Sequence, residues 1–205
     1  MNFIEFKSKF FDLACFSTHQ VYAWHPGFDR NNLSRWTSKG LIIRLRQGFY
    51  TFPEYKENHD FVLYFANRIY RPSYISLHSA LSFYGIIPEA VVQITSVSSL
   101  KTRYFANEIG EYIYKSIKKE VMFGYDLKSI ADGKAMHIAS PEKALLDLLY
   151  LYPEYNTVRQ LSELRLDDNY LHEDFNKEML KEFVKKFKNK ALEKRVQMLF
   201  TAYGL

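Results

Sequence analysis

The chain has 205 residues, 47% hydrophobic and 25% charged, with a formal net charge of +5. That length suits one large domain or two small ones, and that balance excludes disorder as the main state. Cys15 is the only cysteine, which excludes an internal disulfide and a cysteine-based zinc site, and no apolar run approaches the ~20 residues that cross a bilayer.

The charge is unevenly spread. Residues 1–52 hold seven Lys/Arg against three Asp/Glu, residues 53–160 hold twelve of each, and residues 161–205 hold nine against eight. The excess lies between Asp29 and Gln47. A patch of that kind is the footprint of a phosphate-backbone binder. On charge alone, five solubilising surface cations remain the simpler reading.

The N-terminal run "MNFIEFKSKFFDLACF" is apolar but broken by Glu5, Lys7, Lys9 and Asp12. It reads as an amphipathic helix over about Phe3 to Phe16 rather than a secretion signal, which places the protein in the cytoplasm. Ser17 or Thr18 caps a second short helix, "THQVYAWH", which Pro26 and Gly27 end. Asp29 caps a third, "RNNLSRWTSK", which stops at Gly40. "LIIRLRQ", Gly48 and "FYTF" then read as a hairpin closed by Pro53.

Beyond a polar boundary, "PEYKENHDF", helices are expected over about Asp60 to Tyr70 and over "SLHSALSFYG", with Ser76 as cap and Gly85 as stop. "VVQITSVSS", "KTRYFA", "EYIYKSI", "KEVMFGYDL" and "KAMHIA" read as strands. "SPEKALLDLLYLYP" is the clearest helix start, with Ser140 as cap, Pro141 in the first turn and Glu142 at the positive end of the dipole. In the helical tail, Phe175, Met179, Phe183 and Phe187 recur every four residues, flanked by lysines. The flanking Lys181, Lys185 and Lys188 read first as a solvated face packed on the second domain.

The third helix carries the functional reading. At about 100° per residue, with Leu33 at zero, Trp36 and Asp29 fall on one side and Asn31, Ser34, Arg35 and Ser38 on the other. Those four side chains can read base edges or bind phosphates. Lys39 sits on the flank, where it suits a phosphate. Arg44 and Arg46 lie two apart on the hairpin and so point the same way, opposite Ile43 and Leu45. The first turn of the second helix, with Ser17, Thr18 and His19, can touch a phosphate. Any surface helix shows polar residues outward. The helix order, the basic hairpin and the lack of an acid from Asn31 to Phe52 together favour a DNA-binding winged helix over a bland bundle.

Catalysis finds no foothold in the motifs. Ser76, His78 and Ser79 lack a placeable base and orienting acid, and no G-x-S-x-G, Walker or H-E-x-x-H pattern occurs. The six histidines are scattered without metal spacing. Asp147 lies at the edge of a leucine-rich face and is expected to make a buried structural hydrogen bond. No enzyme activity, cofactor or metal is expected.

The runs "LSRWTSKGLIIRLRQGFYTF", "PSYISLHSALSFYGIIPEAVVQITSVSSLKTRYF" and "IASPEKALLDLLYL" resemble the AbiEi family of abortive-infection antitoxins over roughly residues 5 to 155. The resemblance implies a type IV toxin–antitoxin role in phage defence. In that family the N-terminal winged helix binds promoter inverted repeats and represses the operon. The C-terminal domain counters a nucleotidyltransferase toxin without a stable complex. Carried over by position, the DNA-binding part falls on Arg30–Lys39 and Leu41–Phe52, adding Arg30 and Gln47 to the candidates.

The expected fold is therefore α+β. A winged helix-turn-helix over residues 1–53 is followed by a mixed α/β antitoxin domain over 54–205 that ends in helices. The expected partner is double-stranded DNA, bound by a chain that is monomeric when free and able to pair on the operator; no membrane partner is expected. A standalone winged-helix regulator whose second domain binds a partner or ligand is the alternative, and a DNA-targeted nuclease the more distant one.

Overall fold

A computed structural model describes residues 2–89 and 91–205. The fold is mixed α+β: a small sheet with three helices at the N-terminal end, a larger mixed sheet, and helices at the C-terminal end.

The first helix, α1 (Phe3–Phe10), buries Phe6 and Phe10, and Asn2 caps it by accepting from the Glu5 N–H. It is shorter than the sequence pattern implies. A 3-10 turn follows, Ala14 takes a positive φ, and Cys15–Ser17 form a strand, β1, instead of the last turn of a helix. The cause is long-range: β1 pairs antiparallel with β3 (Phe49–Thr51), which local periodicity cannot reveal. Ser17 then caps α2 (Thr18–Trp24) in a capping box with Gln20, so Ser17 rather than Thr18 fills that role. The Asp29 carboxylate accepts from the Asn31 N–H at 2.9 Å at the start of α3 (Asn31–Ser38). Gly40, at φ +68°, turns the chain out of α3. β2 (Ile43–Arg46) and β3 form the hairpin, and the sheet order is β1-β3-β2.

The larger sheet has the order β6-β7-β5-β4-β9-β8, built from β4 (Ser73–Ile75), β5 (Gln93–Ser98), β6 (Arg103–Ala106), β7 (Glu111–Ser116), β8 (Tyr125–Ser129) and β9 (Ala135–Ala139). β4–β9 and β5–β7 are parallel and the other pairs antiparallel. Helix α4 (His59–Ile69) covers one face, where the Tyr114 hydroxyl donates to the Ala66 carbonyl at 2.7 Å. Helices α5 (Leu77–Phe83) and α6 (Pro141–Leu151) cover the other. With both faces covered, β5 is buried from Ile94 to Ser98, polar residues included. The expected strand over "KEVMFGYDL" begins only at Tyr125, after a 3-10 turn at Lys119–Val121.

Ser76 does not cap α5. Its hydroxyl donates to Asp147 of α6 at 2.8 Å, and the Tyr74 hydroxyl donates to the same carboxylate oxygen at 2.8 Å. Lys143, one helical turn earlier, forms an ion pair with the other Asp147 oxygen, and both side chains are fully buried. Burial pushes the Asp147 carboxyl up and the Lys143 ammonium down, and their mutual attraction opposes both shifts. Leu77, next to this cluster, is held at φ +59°, a strained conformation for a buried leucine.

After α6 come α7 (Val158–Ser162), α8 (Asp168–Glu173), α9 (Lys177–Phe187) and α10 (Lys190–Tyr203). α9 packs on α6 and buries Leu180, Phe183, Val184 and Phe187, while Lys181, Lys185 and Lys188 stay exposed. Phe183 reaches Gly124, where an added Cβ would stand 2.8 Å from the ring. Gly124 also needs φ +68°, so space and conformation both select glycine.

A single cluster of buried residues runs from Phe6 to Leu199. Across Pro53 it is stitched by the tilted rings of Phe11, Tyr55 and Phe61, and the Tyr55 hydroxyl donates to the Phe11 carbonyl at 2.9 Å.

Candidate nucleic-acid interface

Helix α3 points its apolar side inward. Leu33 and Trp36 are buried, Trp36 among Phe3, Phe6 and Phe28. The opposite side is open: Arg30, Asn31, Ser34, Arg35, Ser38 and Lys39 are all exposed. This is the 3.6-residue alternation expected of a helix lying on an aromatic core. Arg35 bends back to donate to Asn32, one turn earlier. Thr37 uses its hydroxyl on the Leu33 carbonyl at 2.9 Å and stays half-buried.

The hairpin alternates as well. Ile43 and Leu45 are buried and Arg44 is exposed. Between Arg44 and Arg46 the register slips, so Arg44 faces Tyr50 while Arg46 faces Phe49. Arg46 is half-buried at the seam with α4, where it donates to the Ile69 carbonyl. Its guanidinium lies 5.0–5.7 Å from the ring centres of Phe105, Phe49 and Tyr70. The two arginines thus have different surroundings, a consequence of the bulge and of a partner from distant sequence. Gln47 is exposed at the turn, and Gly48 holds φ +80° there. The Gly48 carbonyl accepts from the Thr18 N–H at 2.9 Å, and Thr18 is half-buried beneath the turn.

Helix and hairpin meet in one groove of about 990 Å³. Arg30, Ser34, Ser38, Arg44, Arg46 and Gln47 line it. Asn31, Arg35 and Lys39 lie outside it on the open side of α3, and Thr18 lies behind the turn. The opposite wall comes from Tyr104–Glu108, at the end of β6. The Asn107 amide donates to the Leu45 carbonyl of β2 at 2.9 Å, which fixes this wall to the edge of the hairpin. Sequence reasoning missed it, because Asn107 and Glu108 lie some sixty residues from the hairpin and carry no local pattern that points there. Glu108 brings an acid to a groove whose other charged side chains are arginines.

Among the described residues, no group of three His, Cys, Asp or Glu could hold a metal ion. No helix there is long and apolar enough to cross a membrane. No family model matches the chain, and no curated protein matches it.

Proposed function

We propose that the protein is a DNA-binding transcriptional repressor whose first 53 residues act as a winged helix, with α3 as reading helix and the β2–β3 hairpin as wing. The observation that supports this most is the groove between α3 and β2. Two short elements, neither carrying an acid, converge there with Arg30, Ser34, Ser38, Arg44 and Gln47. Arginine and serine at that spacing suit guanine edges and phosphate oxygens. Asn31, Arg35 and Lys39 extend the footprint along the open side of the helix.

The resemblance to AbiEi antitoxins supplies the wider role. The repressor autoregulates its operon in the cytoplasm at promoter inverted repeats. Its second domain counters a nucleotidyltransferase toxin in phage defence, without a stable complex.

A gel-shift titration on the gene's own promoter tests the DNA reading. Arg44→Ala and Arg35→Ala should each weaken binding by about 1–3 kcal/mol, and affinity should fall steeply with salt as counterions are released. Unchanged affinity in both variants at matched salt overturns it. Co-expression with the adjacent gene tests the antitoxin role: growth is rescued if that gene encodes the toxin, and a toxin that kills regardless removes the assignment.

A further inference from the structure

A second cavity, of about 470 Å³, lies at the seam between the small sheet and the C-terminal end of α4. That volume falls within the ~300–1,000 Å³ typical of small-molecule sites. Three arginines line it: Arg46 from β2, Arg68 from the last turn of α4, and Arg71 just beyond it.

Ion pairs among the described residues engage Lys7, Lys143, Arg159, Arg165 and Lys181; none engages these three. Two of them do have a structural task. Arg46 donates to the Ile69 carbonyl, and Arg71 Nε donates to the Asn67 carbonyl at 3.1 Å, satisfying carbonyls that the helix end leaves open. Each bond uses one of five N–H donors and neutralises no charge. Arg68 lies over the Tyr64 ring, 5.5 Å from its centre, and Cys15 lines the same cavity.

Arg68 is half-buried and Arg71 exposed, three residues apart in the lining of the same cavity. Partial desolvation, and after it the charge of Arg68, lowers the Arg71 guanidinium from the usual arginine range. Cations gathered without a carboxylate are relieved by an anion. A planar guanidinium fork matches phosphate in geometry, and near-neutral phosphate carries about two negative charges against this excess of three cations. A single carboxylate would leave most of that excess standing.

We propose that this cavity binds the phosphate group of a small molecule, held by Arg68 and Arg71 with Arg46 behind them. The site joins the small sheet to the C-terminal end of α4 and the segment after β5. It shares Arg46 with the candidate groove, while Arg68 and Arg71 lie outside that groove, so the site does not need the DNA-binding reading.

Calorimetry on the full-length protein with inorganic phosphate and with AMP tests it, beside thermal melts with sodium chloride at equal ionic strength. Both phosphate probes should bind and raise the melting temperature, and chloride should not. Arg68→Met/Arg71→Met should weaken both by at least about tenfold. Leu100, 40% exposed on the cavity wall, provides a variant that leaves the arginines in place. Leu100→Glu supplies the missing carboxylate from within the chain. It should cut AMP binding by at least about tenfold while raising the melting temperature without phosphate. If the double variant fails to fold, Leu100→Glu decides alone. Equal shifts with phosphate and chloride, or unchanged AMP affinity in folded variants, overturn the site. A DNA duplex of unrelated sequence that displaces AMP at matched phosphate concentration would trace the phosphate to a DNA backbone and overturn the small-molecule assignment.

Discussion

The cations around α3 and on β2 and the cation of α6 live under opposite conditions. Arg30, Arg35, Lys39 and Arg44 are exposed on a stable aromatic base and keep their water. Lys143 is sealed in the protein with Asp147, Tyr74 and Ser76 as its surroundings. An exposed charge adds little to folding and is free to meet a partner. A buried one is costly to desolvate, so the groups around it are committed to holding it. Stability and binding are therefore separable here by residue, and substitutions should divide the same way.

The largest effect is expected at the buried pair. Asp147→Ala leaves an unpaired ammonium and should cost about 3–5 kcal/mol in urea unfolding. Replacing both partners, as Lys143→Met/Asp147→Leu, should cost clearly less. A double variant as damaged as the single one would mean that the cluster does more than neutralise its own charges. At the exposed end, Arg44→Ala should leave urea stability within about 0.5 kcal/mol of the parent while weakening DNA binding as stated above. A matching loss of stability would erase the contrast.

His78 lies between the extremes, half-buried beside Tyr152. Burial lowers its imidazole from the ordinary value, with Glu89 pulling the other way. A depressed folded value means that the unfolded chain binds the proton more tightly. Its stabilising contribution is present above the unfolded value, about pH 6.5, and is lost as pH falls from there through the folded value. The melting temperature should fall across that window, and His78→Gln should flatten the slope. The smallest effect is expected at Glu108 on the groove wall. Glu108→Gln should tighten DNA binding by only a few-fold, with the gain fading as salt rises. Weaker binding in this variant would make Glu108 a contact rather than a brake.

What the sequence revealed divides on the same line. The alternation of α3, the stop at Gly40, the Ser140 cap and the aromatic stripe of α9 are local periodic or terminal signals, and they are visible within a few residues. The three-residue strands β1 and β4 are too short to carry a period, and they exist because β3, β5 and β9 lie beside them. Ser76 looked like a cap because serine before a helix usually is one. Its hydroxyl was taken by a carboxylate seventy-one residues away. Arg46 has the same history, with its guanidinium bound to the Ile69 carbonyl twenty-three residues on. The groove between α3 and β2 was half legible; its far wall, Tyr104–Glu108, was not.

The aromatic bridge through Phe11, Tyr55 and Phe61 bears on how this chain can be cut and rejoined. An N-terminal unit that ended in a flexible tether could be exchanged between proteins like a cassette. This one shares its floor with its neighbour: Tyr55 and Asn107 from beyond Pro53 are bonded into the first segment, and Arg46 reaches the other way. A chimera joined at Pro53 has to carry those residues with it, or it will present two raw apolar surfaces where the parent has a seam.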